Sequence, residues 1–336
     1  MHRQTRTVSK GGLALQTLMC LVLLAQPWGA VADVAVYEAV VPLAGTTAAD
    51  RNAGFGDALR SAAVRASGRR DAASNPVVAA AAADPSRYVQ RYSTSADQML
   101  KVGFDAPAMD ALLQKAQLPF WPMERPVTVV LLVVPSVAGG QRAVLASDRV
   151  PERAEIERAA LARGLPITWP DQAVGAEQVR AMLAGGQAAA MPGEWGARQP
   201  LLAGVGTGGP ITWAFSDGGR IARDDGGLQD GIDIAADSLA DQYAPASSRG
   251  VSTIAIRVGG VEDVRAYAGL VDYLESLSLV RSVGVAGLDN RVVRLDLTLR
   301  GDIELLRRIA ALDSHLVPAA AAGAEGTPAP DFDYVP

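Results

Sequence analysis

The sequence predicts a multi-domain protein built of α/β and α+β units, on three observations. An aliphatic run from Val127 to Val134 opens a strand-helix-strand-helix order in mid-chain, and strict apolar–polar alternation from Val293 to Arg300 lies within a β-α-β-β-α order further on. Proline, glycine and composition shifts then separate three globular segments. The overall composition agrees, since 49% hydrophobic and 20% charged residues describe a folded chain of 336 residues. Aromatic residues are only 5%, so the cores must rest on aliphatic side chains and alanine.

The first 32 residues read as a secretory signal. Arg3, Arg6 and Lys10 precede an apolar stretch from Gly11 to Ala25, and Ala30-Val31-Ala32 supplies small residues for cleavage. Gln16, Gln26 and Pro27 interrupt a run already short of the roughly 20 apolar residues of a spanning helix, so membrane attachment is expected only through an uncleaved signal. Met19 before Cys20 disfavours a lipid anchor. A periplasmic location follows. Removal of the signal takes away three basic residues and no acidic one, so the net charge of −5 becomes more negative. It also removes Cys20 and His2, which leaves no thiol and only His315. Thiol catalysis, disulfides and zinc sites of histidine and cysteine are thereby excluded from the exported chain. A serine triad could use only His315, for which a packing or solvent-exposed role is expected instead.

Residues 33–122 form the first segment, an α+β domain. Val34 to Val41 reads as a strand, Ala48 to Ser67 as a helix with Phe55, Leu59, Ala62, Ala63 and Ala66 at helical spacing, and Gly68 as its stop. A short alanine-rich helix follows Asn75-Pro76. Tyr88 to Tyr92 and Met99 to Phe104 are strands, and Asp105 caps a helix with Pro107 in its first turn.

Residues 123–246 form the second. The strand at Val127 to Val134 should be covered on both faces. Helices are expected at Glu152 to Arg163 and Ala176 to Leu183, with Leu165 to Trp169 a strand between them. Asp217-Gly218 joins Ile211–Phe215 and Gly219–Arg223 as a hairpin. The helix from Gln229 to Tyr243 turns Ile232, Ala235, Ala236, Leu239 and Tyr243 toward the sheet.

Residues 250–318 form the third, a ferredoxin-like unit by its order of elements. Thr253 to Val258 is a strand, and Glu262 to Ser278 a helix whose apolar face carries Val264, Tyr267, Ala268, Val271 and Leu274. Val280 to Val285 and Val293 to Leu299 are strands, Asp302 caps the last helix, and His315 to Val317 supplies a closing strand. The tail, 319–336, is biased to alanine, proline and glycine and reads as disordered.

Few of the candidate sites have more than a surface explanation. Gly204-Val205-Gly206-Thr207-Gly208-Gly209 fits the dinucleotide spacing, but Pro210 and a strand follow where a helix is required, so it reads as a flexible turn. Asp233, Asp237 and Asp241 share one side of a helix and could attract a divalent cation, against the plainer reading of a solvated face. Arg281, Arg291, Arg294, Arg300, Arg307 and Arg308 suit oxyanions, but acidic residues balance them in the same segment, so no nucleic-acid binding is expected. Phe120 and Trp121, between Pro119 and Pro122, either fix the angle between domains or form an exposed partner-binding anchor. Glu152, Glu155 and Glu157, or Asp224 or Asp225 with a glutamate of the middle segment, could furnish a carboxylate pair for glycan hydrolysis, although nothing pairs them across a cleft.

Arg87-Tyr88-Val89-Gln90-Arg91-Tyr92, Leu118-Pro119-Phe120-Trp121, Arg125-Pro126-Val127 and, near the end, Gly260-Val261, Tyr267, Tyr273-Leu274 and Leu299-Arg300-Gly301-Asp302 resemble an exported proteobacterial family of unknown function, numbered two thousand and sixty-six. The resemblance implies no catalytic residues and structural roles for the matching positions. The middle segment is similar in element order to the N-terminal domain of TolB and to lipoprotein activators of peptidoglycan synthases. Ala188 to Gly193 would be the buried strand such domains carry before their hairpin, a poor version because Pro192 lacks a ladder donor. The resulting expectation is a non-catalytic envelope protein without cofactor or metal that binds or scaffolds other envelope proteins, with Phe120, Trp121, Arg294 and Arg300 as partner-binding residues. The alternatives are a carboxylate-based hydrolase of glycan or peptidoglycan and a divalent-cation-binding module.

Overall fold

The computed structural model describes residues 31–336 apart from 137, 173, 186–198, 218–219, 290 and 320–328. It is a mixed α/β protein with four sheets and eight α-helices among the described residues. None of these helices is long and apolar enough to cross a membrane.

The expected strand from Val34 to Val41 begins only at Glu38, and a short strand precedes it. β1 (Val31–Asp33) and β2 (Glu38–Pro42) are separated by a turn in which Val36 N–H donates to the Val34 carbonyl. The break lets the two strands join different sheets. Helix α1 (Ala48–Ser67) starts with a reciprocal cap between Thr47 and Asp50 and stops at Gly68, whose φ of 69° is left-handed. Helix α2 (Pro76–Ala83), strands β3 (Val89–Thr94) and β4 (Met99–Phe104), and helix α3 (Ala106–Lys115) complete the unit. Asp105 Oδ1 accepts the Ala108 N–H at 2.9 Å, as the cap reading requires. The antiparallel order is β2-β4-β3, and the apolar stripe of α1, with Leu59, Ala62, Ala63 and Ala66, shares a core with Leu100, Val102 and Met109.

Strand β5 (Glu124–Pro126) pairs with β1, and the second sheet begins at β6 (Thr128–Pro135). Strand β7 (Gln141–Ala143), helix α4 (Pro151–Arg163), strand β8 (Ile167–Thr168), helix α5 (Ala176–Gly185), strands β9 (Leu201–Gly206), β10 (Ile211–Asp217) and β11 (Arg220–Gly226), and helix α6 (Leu228–Tyr243) follow. The order is β11-β10-β9-β6-β7, with β8 and β9 both parallel to β6. The alternation of β6 explains the three layers. Val130 and Leu132 pack with Ile156 of α4 and Ile232 of α6, whereas Val129, Leu131 and Val133 pack with Val179 of α5. Two expectations change here. Gly204 and Gly206 are not a flexible turn but part of fully buried β9, where a Cβ on Gly204 would collide with the Trp213 ring. The buried strand before the hairpin is therefore β9; the expected one at Ala188 to Gly193 lies outside the described residues.

The third sheet holds β12 (Val251–Gly259), β13 (Val280–Asp289) and β14 (Val292–Arg300), followed by β15 (Leu316–Pro318) and β16 (Phe332–Tyr334). Helices α7 (Val264–Ser276) and α8 (Ile303–Ala310) join them in the expected β-α-β-β-α order. The strand order is β13-β14-β12-β16-β15. The tail reading of 319–336 is corrected by β16, which runs parallel to β12 with Phe332 opposite Val258 and entirely buried. Phe332 and Tyr334 alternate with Asp333, enough apolar surface for a sheet position. The face of α7 also differs from expectation. Asp263 caps the helix, so Val264 sits in the first turn, 83% exposed, and Leu270 and Leu274 are the buried residues. One apolar core runs from Trp121 through the middle sheet to Tyr334.

Candidate functional site

The sequence motifs that looked most like a recognition surface form the joint between segments. Trp121 N–H donates 2.8 Å to the Ala66 carbonyl, and its ring, with no exposed surface, carries the Arg125 guanidinium 3.8 Å from its centroid. Arg125 is itself fully buried and makes no ion pair among the described residues, the neighbouring Glu124 charge acting on it only at a distance. It donates to four carbonyls, those of Pro122 (2.9 Å), Gly164 (2.6 Å), Arg65 (2.8 Å) and Trp121 (3.2 Å). Burial first, then the Arg65 charge, pushes its pKa well below the usual guanidinium value. The carbonyls of Arg65, Ala66 and Gly68 belong to the C-terminal end of α1, the negative end of the helix dipole, which suits cations.

A second arginine reaches that helix end from α4. Arg163 donates to the Gly68 carbonyl at 3.1 Å, to Asp237 at 2.6 Å and to Asp233. Arg70 meets the same pair, at 2.8 Å from Asp237 and 3.4 Å from Asp233, and Arg69 lies 4.0 Å from Asp241. The solvated-face reading of these aspartates is thus wrong for Asp233, which is 6% exposed and inside an arginine cluster. The same arginines occupy the oxygens that a cation would need, and among the described residues no group of acids and histidines is arranged to hold one.

Between α3 and the third sheet lies a pocket of about 220 Å³, lined by Asp110, Gln114, Leu118, Arg249, Arg281 and Arg300 among others. Asp110 organises it. Its Oδ2 receives Arg281 Nη2 at 2.7 Å and Arg300 Nη2 at 2.6 Å, while the Tyr37 hydroxyl donates to Oδ1. Burial and then the Asp110 charge hold the Tyr37 phenol far above its ordinary pKa, so it remains a donor. Arg300 also lies 4.4 Å over the Phe120 ring. Arg249 makes no hydrogen bond or ion pair among the described residues.

These contacts relocate the expected partner-binding residues. Phe120, Trp121 and Arg300 are 3%, 0% and 7% exposed, so they cannot be surface anchors; packing between segments has claimed them. Arg294 is exposed on β14 beside Gly287. Arg307 pairs with Glu304 and Arg308 donates to the Gln242 carbonyl. The expected carboxylates stand apart: Asp224 and Asp225 are exposed on the edge strand β11, and Glu157 pairs with Arg153 at 2.7 Å. His315 is exposed, 5.4 Å from the Tyr273 ring.

A family model described as a domain of unknown function (DUF8605) matches residues 30–122. The first segment is therefore covered by an uncharacterised domain family. The match ends at Pro122, one residue past the Trp121 joint. No curated protein and no solved structure matches the chain. Sequence reasoning missed Tyr37, Asp110 and Arg163, and gave Arg125 only the structural role that the resemblance implies. For Arg125 a signal existed, an arginine held between Trp121-Pro122 and Pro126, whereas Asp110 and Arg163 look like ordinary helix-surface charges.

Proposed function

We propose that the protein is a non-catalytic recognition or scaffolding protein of the cell envelope, exported to the periplasm by a cleaved signal, that works without metal or cofactor and binds other envelope proteins. The observation that carries this reading is how the interior charges are used. Arg125, Arg163, Asp233, Asp110 and Arg300 satisfy one another or main-chain carbonyls at the joints between segments. Such ties make a stiff frame and leave the acids of the middle segment dispersed rather than converging, which argues against the hydrolase alternative. The arginine-occupied aspartates argue against the cation module.

Two finer readings belong with this proposal. The C-terminal unit is ferredoxin-like with one added strand, and the middle segment is of the TolB N-terminal type, a reading supported by buried β9 ending in glycine before the hairpin. Membership of the exported proteobacterial family is supported by its quoted residues Phe120, Trp121, Arg125 and Arg300 all lying at the joints.

Affinity capture from envelope extracts, after crosslinking in intact cells, tests the function. A partner recovered reproducibly and in stoichiometric yield is expected, and no such partner across repeated preparations would count heavily against it. Cell fractionation and N-terminal sequencing test the export: a periplasmic chain beginning near Asp33 is expected, and cleavage there takes Val31 and Ala32 out of the pairing of β1 with β5.

A further inference from the structure

The pocket between α3 and the third sheet holds more positive charge than its own contacts use. Three guanidinium groups, from Arg249, Arg281 and Arg300, line it against the single carboxylate of Asp110, an excess of two charges. A guanidinium has five N–H donors. Arg281 uses one nitrogen, Nη2, on Asp110, and Arg249 uses none among the described residues. One carboxylate cannot neutralise three guanidinium groups, and Asp110 is already shared, with Oδ2 serving two arginines and Oδ1 accepting from Tyr37. Arg300 is held from behind by the Phe120 ring at 4.4 Å and is 7% exposed, so one of the charges is positioned in advance and largely stripped of water. Leu113, Leu118 and Val251 supply the apolar part of the lining, which lowers the local dielectric and lengthens the reach of the surplus charge.

Size narrows the ligand. About 220 Å³ is below the roughly 300–1,000 Å³ of ordinary small-molecule sites. Arginine forks match planar or tripodal oxyanions rather than halides, through paired N–H···O bonds. We propose that this pocket binds a compact dianionic oxyanion, presented either as a phosphate group or as a short dicarboxylate. The site is independent of whether the protein scaffolds partners.

Calorimetric titration of the purified protein in Tris chloride at low ionic strength tests it, with inorganic phosphate, succinate and, as neutral control, glycerol. Saturable one-to-one binding of phosphate or succinate is expected, and none of glycerol. Binding of phosphate alone marks a phosphate-bearing ligand; binding of succinate alone marks a dicarboxylate. Arg249→Ala removes a side chain with no hydrogen bond or ion pair among the described residues, so it should keep the wild-type melting temperature and weaken binding at least about tenfold, equivalent to about 1.4 kcal/mol. Arg291→Ala, outside the pocket, should bind like wild type. No saturation by either anion up to about 10 mM overturns the proposal, since a site weaker than that falls below any specific recognition. So does binding that Arg249→Ala leaves intact.

Discussion

The Arg125 guanidinium, without any exposed surface, donates 2.8 Å to the main-chain carbonyl of Arg65 at the end of α1. One side chain thus ties the first segment to β5 and, through the Gly164 carbonyl, to the end of α4. Burying a cation without a carboxylate is expensive, and only several good acceptors at a helix C-terminus offset it. An ammonium has three donors on a single atom and cannot span carbonyls from three elements. Arg125→Lys is therefore expected to destabilise the fold by about 2–4 kcal/mol, since two or more buried carbonyls lose their donors. Urea unfolding measures this, and an unchanged midpoint would show that the carbonyls find other partners.

Asp233→Ala should act through Arg163. The arginine side chain is 5% exposed and would keep only Asp237 and the Gly68 carbonyl, leaving a poorly compensated buried charge. A loss of about 3 kcal/mol is expected. In the wild-type protein, millimolar calcium should leave the melting temperature unchanged, because arginines already hold these carboxylates. A rise on adding calcium would restore the cation-binding alternative.

Asp217 predicts a pH signature. Burial raises its pKa above the usual carboxylate value, against a hydrogen bond from Gln242 Nε2 at 2.7 Å that works the other way. The folded state thus favours the protonated acid. That contribution is complete below the unfolded value, about 3.9, and is lost as pH rises through the folded one. Asp217→Asn, whose amide oxygen can still accept from Gln242, should unfold at a higher urea concentration than wild type at pH 7. Near pH 3 the two midpoints should coincide. Equal midpoints at both pH values would refute the assignment.

Phe332→Ala is expected to cost about 3–5 kcal/mol, the range for emptying a fully buried aromatic site. Deleting residues 319–336 should do more, because it removes β16 from between β12 and β15. Thermal unfolding of both variants checks this, and wild-type stability in the deletion would return the segment to the status of a dispensable tail.

Local patterns carried much of the fold. An aliphatic run placed β6, period-two alternation placed β14, and the residues Gly68, Asp105 and Asp302 marked helix ends by chemistry confined to one turn. What stayed hidden was set by partners distant in sequence. Asp233 sits on the polar side of its own helix and is buried only because Arg163 and Arg70 converge on it. Gly204 resembled loop punctuation, although its lack of a side chain makes room for Trp213, nine residues later. The Tyr37–Asp110–Arg300 cluster joins elements up to 263 positions apart, and no local window contains it.

Strand β16 also sets a schedule. The seat between β12 and β15 can be filled only after residue 334 has been made, some seventy-five positions beyond the end of β12. Until then β12 has an open edge and Val258 lacks its cover. The last sheet should therefore close only once β16 has been made, later than the two units that precede it in the chain.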